Sequence, residues 1–270
     1  ANSLGNNKAI VIDGVAPTVT SVTASTANGI YKVGDFVSIQ INFSEAVTVT
    51  GTPQLTLETG VTDSTINYVS GSGTSTLIFA YTVQAGDTTT DLDYFSTSAL
   101  ALNGGTIRDA ASNNATLTLP SPGAANSLGS KKAIVIDGVV PGVTSINRVD
   151  SATTNATSVN YTVTFSETVT GVTVDDFELT KTGTASGTVA AVSGSGSTYT
   201  VTVNGISGDG TLRLDLNGAG TGITDGAGNA IASGFSTGQI YTVDRMAPPA
   251  PSTPDLVAAS DSGTSNTDNI

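Results

Sequence analysis

Two sets of oxygen-bearing side chains recur in the same order along this 270-residue sequence. Each set holds three carboxylates and one amide, namely Asp13, Glu45, Asp109 and Asn113 in the first, and Asp137, Glu167, Asp225 and Asn229 in the second. Such oxygens are the ligands of hard cations, and Ca²⁺ takes about six to eight of them. The sequence has no His and no Cys, which removes the usual zinc ligands, His-based triads, Cys nucleophiles and disulfides. These residues therefore predict two calcium sites.

The overall charge also favours cations as ligands. The formal net charge is −13 at pH 7, with only 9 Lys and Arg residues. A surface of this sign repels phosphate backbones and attracts divalent cations, so we predict no nucleic-acid partner. No apolar run approaches the roughly 20 residues of a membrane span, so we predict no membrane insertion.

Catalysis is the chemistry that the sequence argues against. Paired carboxylates suit glycoside hydrolysis, but sugar-cleaving sites usually carry aromatic platforms, and this chain has no Trp and only scattered Tyr. Stretches such as Ser70–Gly73 predict hairpin turns, because no His is present to activate a serine nucleophile. We predict that the protein is not an enzyme.

An internal repeat divides the chain. The sequence ANSLGNNKAIVIDGVAPTVT at 1–20 returns almost unbroken as ANSLGSKKAIVIDGVVPGVT at 125–144, and repeats of this kind indicate tandem units. We therefore predict that 1–13 is the closing strand of a preceding repeat and that 14–137 is a complete domain. A second, diverged domain is predicted at 138–244, followed at 245–270 by a Pro-rich linker and the start of a next domain.

The second unit is recognised by landmarks in the same order as in the first. Phe43-Ser-Glu45 corresponds to Phe165-Ser-Glu167, and the loop at 109–113 corresponds to the loop at 225–229. Each unit then closes with an apolar strand that ends in Asp, at 134–137 and at 240–244. The shared order predicts one fold for both units.

Strand patterns predict that fold. Segments such as Val37–Phe43, Tyr161–Phe165 and Tyr199–Val203 alternate apolar and polar residues, which is typical of a strand with one buried face. No useful window carries a helical period, and Gly, Asn and Asp separate about seven short strands per unit, as in a sandwich. The predicted fold class is all-β, with two tandem immunoglobulin-like antiparallel β-sandwiches.

Strand direction predicts where the acidic side chains meet. In such a sandwich the first strand starts at the N-terminal pole, the second strand returns to it and the last hairpin turns there. Asp137 in the linker, Glu167 at the end of the second strand, and the 225–229 loop should therefore converge there, and the first set should converge one domain earlier. Asp35 and Asp87 fall at the opposite pole of the first domain, where they are further candidates. Ordinary turn chemistry explains the same residues without a metal, and both interpretations stay open.

The landmarks resemble a known kind of repeat. Gly29–Asp35, Phe43-Ser-Glu-Ala-Val47 and the run NGGTIRDAASN at 103–113 are similar to Ig-like or cadherin-like repeats of giant bacterial cell-surface, adhesin-type proteins. The resemblance implies an extracellular, tandemly repeated stalk stiffened by calcium. The 109–113 loop lacks the glycines at Gly226 and Gly228, so we expect it to be shaped differently.

Three functions remain open at this stage. The first is a structural spacer in a surface adhesin or filament, whose partners are the neighbouring repeats of the same polypeptide. The second is a carbohydrate- or cell-binding module, for which Tyr94-Phe95 is the candidate aromatic cluster. The third is a strand-exchange filament subunit, in which the apolar segment Lys8–Ile12 pairs with a sheet edge of another cell-surface chain.

Overall fold

A computed structural model describes residues 12–250 with the exception of residue 248. Within this range the chain is almost entirely β-structure. The strands up to residue 137, which we call domain one, are β1 (Val19–Ala24), β2 (Gly29–Lys32), β3 (Phe36–Thr50), β4 (Gln54–Glu58), β5 (Ser64–Ser70), β6 (Thr74–Thr82), β7 (Thr88–Thr89), β8 (Asp93–Tyr94), β9 (Leu100–Ala101), β10 (Thr106–Arg108) and β11 (Ile134–Asp137). A one-turn helix, α1 (Leu128–Lys131), precedes β11.

The strands from residue 143 onwards form domain two. They are β12 (Val143–Arg148), β13 (Thr153–Thr154), β14 (Ser158–Phe165), β15 (Phe177–Lys181), β16 (Ser186–Ser195), β17 (Thr198–Ser207), β18 (Gly210–Leu216) and β19 (Ile240–Val243). One sheet has the order β12-β14-β17-β16 and the other has the order β13-β19-β18-β15. With β12 and β13 taken as two halves of a first strand, these are the two sheets of the immunoglobulin sandwich.

Domain one follows the same plan with additional short strands. Its larger sheet runs β1-β3-β6-β5-β4-β8, with β9 beside β4 and β10 beside β3, and its smaller sheet runs β2-β11-β7. The prediction of an all-β tandem of Ig-like sandwiches is thus confirmed. Between the strands named above the pairing is antiparallel except at β2–β11 and β13–β19, which are parallel. These arise because the first strand of each domain crosses from one sheet to the other and there runs beside the closing strand.

The alternating sequences form these strands because one face of each is buried. Along β14 every second residue from Val159 to Phe165 is buried, while the residues between them are half-exposed. Domain one packs Ile39, Leu77 and Phe79 into its own core, and domain two packs Val163, Leu214 and Tyr241 into a separate one. Each domain therefore has a core of its own, from which its pole loops extend.

No helix among the described residues is long and apolar enough to span a membrane. The predicted closing strand of a preceding repeat lies almost wholly outside the described residues, as do the Lys8–Ile12 segment up to residue 11 and the C-terminal segment after residue 250.

Candidate metal centres at the domain poles

The structure brings together three carboxylates from each predicted set. Asp13, Glu45 and Asp109 form one group, and Asp137, Glu167 and Asp225 form the other. In each group, one oxygen atom of every carboxylate lies within 4.8 Å of those of the other two. Each group sits at the N-terminal pole of a domain, where the strand-direction argument places it. We call them the first and the second acidic group.

The Phe-Ser-Glu motif positions the glutamate of each group. Ser166 Oγ accepts a hydrogen bond from the Gly142 N–H at 3.0 Å, which ties the end of β14 to the segment before β12. The Thr18 N–H donates to Ser44 Oγ in the same way at 3.1 Å. The pairing of β3 with β6 is interrupted between Asn42 and Val47. Glu45 lies in this gap and therefore forms no regular pair with β6.

Asp137 belongs to domain one rather than to a free linker. It is the last residue of β11, where it pairs with Lys32 on β2 and with Thr88 on β7. The sequence-based placement of Asp137 in the linker is therefore wrong. Because Glu167 and Asp225 belong to domain two, the second acidic group combines carboxylates from both domains.

Asp225 is held by the loop that follows it. Its Oδ1 accepts hydrogen bonds from the Ala227 and Asn229 backbone N–H groups, both at 2.9 Å. Its Oδ2 accepts from the Asn229 amide nitrogen at 2.8 Å. Asp225 is 4% exposed, so the loop presents a desolvated carboxylate in a fixed orientation.

Asn229 links the second acidic group to domain one through its side-chain amide. Its amide nitrogen donates to the Asp137 carbonyl oxygen at 2.8 Å as well as to Asp225. Its amide oxygen accepts from the Val33 N–H of domain one at 3.1 Å. The side chain is buried, and its amide joins the two domains. The predicted Asn229 ligand stays a prediction, because an amide oxygen that accepts one hydrogen bond keeps a second lone pair.

The loop at 109–113 has the same arrangement, although it lacks the two glycines. Asp109 Oδ1 accepts from the Asn113 N–H at 2.8 Å, and the Asn113 amide nitrogen donates to Asp109 Oδ2 at 2.7 Å. Ser112 adopts φ 75°, close to the φ 88° of Gly228. The expected difference in loop shape is therefore wrong, because Ser112 accepts the left-handed conformation that glycine adopts freely.

Asn113 makes corresponding contacts at the first acidic group, and its predicted role as a ligand stays a prediction. Its amide nitrogen reaches the Asp13 carbonyl oxygen at 3.1 Å and the Val15 carbonyl oxygen at 3.4 Å. The predicted ligand set of four residues thus divides in both domains into three carboxylates that converge and one asparagine that supports them.

The electrostatics of each group disfavour three negative charges at once. Burial and the nearby carboxylates of Asp225 and Asp137 raise the pKa of Glu167 above its usual range. Burial, Asp13 and Asp109 act in the same way on the pKa of Glu45. Within the described residues Glu167 Oε1 is buried without a hydrogen-bond partner. A cation held between the carboxylates would neutralise this charge, and in the second group it would also satisfy the orphan oxygen of Glu167.

The domain junction leaves room beside the second acidic group. A cleft of about 390 Å³ opens there between the two domains, and its lining includes Thr89, Asp137 and Glu167. The oxygens that converge belong to carboxylates, the type of ligand that Ca²⁺ prefers, and the cleft beside them is open to water. The residues present therefore fit a hard cation.

The other acidic candidates have structural roles. Asp87 Oδ2 accepts from the Tyr81 hydroxyl at 2.7 Å and from the Gln84 N–H at 3.0 Å. Asp35 Oδ2 accepts from the Lys32 N–H at 3.0 Å. Each closes a turn at the C-terminal pole of domain one, and neither belongs to an acidic group. The contact of the Val33 N–H with Asn229 could not be predicted from the sequence, because every non-proline residue carries such a donor.

No protein-family model matches the sequence, and no curated protein sequence does. Among solved structures, the chain is similar to the I-band fragment I67–I69 from titin, at 8% identity and a TM-score of 0.32. The match covers 86% of this chain and 66% of the titin fragment, so the chain spans just under two thirds of the length of that structure.

Proposed function

We propose that this chain is a spacer segment of a large extracellular bacterial surface adhesin or filament, stiffened by calcium at its domain junctions. The observation that carries the proposal is the second acidic group, in which Asp137 of domain one meets Glu167 and Asp225 of domain two. A cation that all three bind adds its binding free energy only to the arrangement of domains that assembles them. Calcium then holds two sandwiches in one orientation.

The adhesin setting is supported by the sequence resemblance and by the acidic composition. A spacer must project distal parts of its polypeptide and stay soluble, which a net charge of −13 assists through repulsion between chains. The binding-module alternative has weaker support. Tyr94 is buried in the core with its hydroxyl bonded to the Pro120 carbonyl oxygen, and only Phe95 of that pair is exposed.

Thermal unfolding in millimolar CaCl₂ and in EDTA tests the calcium part of the proposal. Ligand at about 100 times its Kd adds about 2.7 kcal/mol to the free energy of unfolding, so we expect calcium to raise the Tm by several degrees. Glu167→Gln and Asp225→Asn should each abolish most of the rise in domain two. Glu178→Gln, an exposed site on β15, is the matched control and should retain it.

Equal melting temperatures in both buffers would contradict calcium stiffening and would reduce both acidic groups to turn chemistry. A rise that survives Glu167→Gln and Asp225→Asn unchanged would place the calcium elsewhere in the protein.

A further inference from the structure

We infer that the N-terminal pole of domain one docks onto another domain of the domain-one type, which lies immediately before it in the same polypeptide. The inference deepens the spacer role and rests on that role, but it does not depend on calcium. It concerns the surface formed by Asp13, Val15 and Asn113, and the partner that this surface fits.

The positions at which the two copies of the repeated segment differ support this choice of partner. Residues 1–14 and 125–138 differ only where Asn6 and Asn7 replace Ser130 and Lys131, and both of the latter are exposed. Every residue that domain one buries in this segment has an identical counterpart. The buried positions are Ser127, Leu128, Ile134, Ile136 and Gly138, and their counterparts are Ser3, Leu4, Ile10, Ile12 and Gly14.

Two of these counterparts, Ile12 and Gly14, lie within the described residues. The described surroundings of neither position require the residue that is found there. Ile12 is 91% exposed, whereas Ile136 is 1% exposed in the core of domain one. A Cβ on Gly138 would lie 2.3 Å from the Gln84 carbonyl oxygen, whereas one on Gly14 meets no described atom within 4 Å. A preceding domain of the domain-one type explains both residues. Its core would bury Ile12 as domain one buries Ile136, and its turn would require Gly14 as the turn of domain one requires Gly138.

The junction between domains one and two shows the contacts to expect. Val139 N–H donates to Asp137 Oδ1 at 3.2 Å, and Val15 N–H donates to Asp13 Oδ1 at 3.1 Å. Asn229 and Asn113 both reach the carbonyl oxygen of the corresponding aspartate. The two asparagines differ in the hydrogen bond that their amide oxygen accepts. Asn229 Oδ1 accepts one from the Val33 N–H, whereas Asn113 Oδ1 accepts none from the described residues. The preceding domain supplies this donor from its own Val33-type turn.

Domain two cannot be the type that precedes. Its closing strand reads Gln239-Ile-Tyr-Thr-Val-Asp244, which differs from the repeated Lys-Ala-Ile-Val-Ile-Asp. The Ser112 side chain is also compatible with docking, because a Cβ at the equivalent Gly228 lies in ordinary contact with Lys32, 3.6 Å from its Cδ.

The test lengthens the full chain by one domain. A second copy of residues 14–124 is placed before Ala1, so that residues 1–13 can close the added domain as 125–137 close domain one. Hydrogen exchange of the amides at 9–13 should then slow at least about 100-fold relative to the parent chain, in EDTA as well as in calcium, because the protection comes from strand pairing in a buried core.

A proline substitution tests the docking itself. Val33 precedes Gly34 (φ 86°) in a turn closed by the Asp35 N–H to Lys32 carbonyl bond, which is a type II turn that favours proline at this position. Val33→Pro therefore removes the N–H and keeps the turn. In the added copy it should loosen only the new junction, and in the original copy only the junction with domain two, as seen in the width of inter-domain distances between spin labels.

The possible outcomes separate the ideas. Unprotected amides at 9–13 in the lengthened chain would overturn the assignment of the partner, and a folded but independently tumbling added domain would overturn the docking. Protection of 9–13 in the parent chain that grows with its concentration would also overturn it, in favour of strand exchange between copies. If calcium has no effect on the Tm, the proposed stiffening is contradicted. The hydrogen-exchange and spin-label measurements still test the docking in that case.

Discussion

The two acidic groups have nearly the same residues and loop geometry but differ in what lies against them. Domain one covers the second group, where Asn229 is 3% exposed and accepts the Val33 N–H. In the first group Asn113 is half-buried and Asp13 is exposed. Domain two therefore places Glu167 and Asp225 of the second group, while domain one supplies Asp137 and the Val33 N–H that holds Asn229.

The largest expected effect comes from removing the asparagine. Asn229→Ala leaves the Val33 N–H, the Asp137 carbonyl and Asp225 Oδ2 without their partner in a buried place, and should lower the free energy of unfolding of domain two by about 2–4 kcal/mol. Asn113→Ala should cost domain one about 1 kcal/mol, because water replaces the lost contacts. Urea denaturation in millimolar CaCl₂, where the junction is formed, measures both, and equal losses would contradict the role given to domain one.

The second largest expected effect is a difference in calcium affinity between the two acidic groups. Asp137 is fixed by strand pairing in β11, whereas Asp13 is exposed, so the second group should bind about tenfold more tightly, which is about 1.4 kcal/mol. Isothermal titration of the full chain should resolve two sites, with the tighter one lost in Glu167→Gln and the weaker one lost in Glu45→Gln. Loss of the tighter site in Glu45→Gln would reverse the comparison.

The loops at 109–113 and 225–229 give a smaller contrast. Ser112 is held at φ 75°, a conformation that costs a residue with a Cβ roughly 1 kcal/mol. Ser112→Gly should therefore stabilise domain one by up to about 1 kcal/mol, and Gly228→Ser should destabilise domain two by a similar amount. Differential scanning calorimetry of the two variants checks the signs, and a destabilising Ser112→Gly would show that the serine is not strained.

The smallest expected effect is a dependence on pH without calcium. The pKa of Glu45 and that of Glu167 are raised from an ordinary 4.5, chiefly by burial and then by the neighbouring carboxylates. The folded chain therefore keeps these protons longer than the unfolded chain, so its stability falls as the pH rises from about 4.5 through the raised pKa. The double variant Glu45→Gln, Glu167→Gln should lose this fall in EDTA.

Asp109 changes the stability in the opposite direction, at pH values below about 4. Burial raises its pKa, but the hydrogen bonds from Asn113 and from the loop N–H groups outweigh this, and the net shift is below the ordinary 3.8. Its contribution to stability is lost as the pH falls through the lowered pKa. A parent chain and double variant with the same slope above pH 4.5 would contradict the raised pKa values of the glutamates.

Much of the fold and of the site could be predicted from the sequence. Alternation at Tyr161–Phe165 identified a strand with one buried face, and the repeated Phe-Ser-Glu and Asp-x-x-x-Asn landmarks identified loops that share a pole. What could not be predicted depends on backbone groups and side-chain direction. Nothing in the sequence distinguishes the Val33 N–H from others, and an asparagine beside three carboxylates reads equally well as a ligand or as a support.

The central claim is that calcium at the second acidic group fixes domain one against domain two. Because the chain has no Cys, Thr62→Cys in domain one and Ser195→Cys in domain two, both exposed, accept one spin label each. Pulsed dipolar spectroscopy should give a narrow distribution of distances in calcium and a broad one in EDTA, with Glu167→Gln broad in both. Distributions of equal width with and without calcium would contradict the claim.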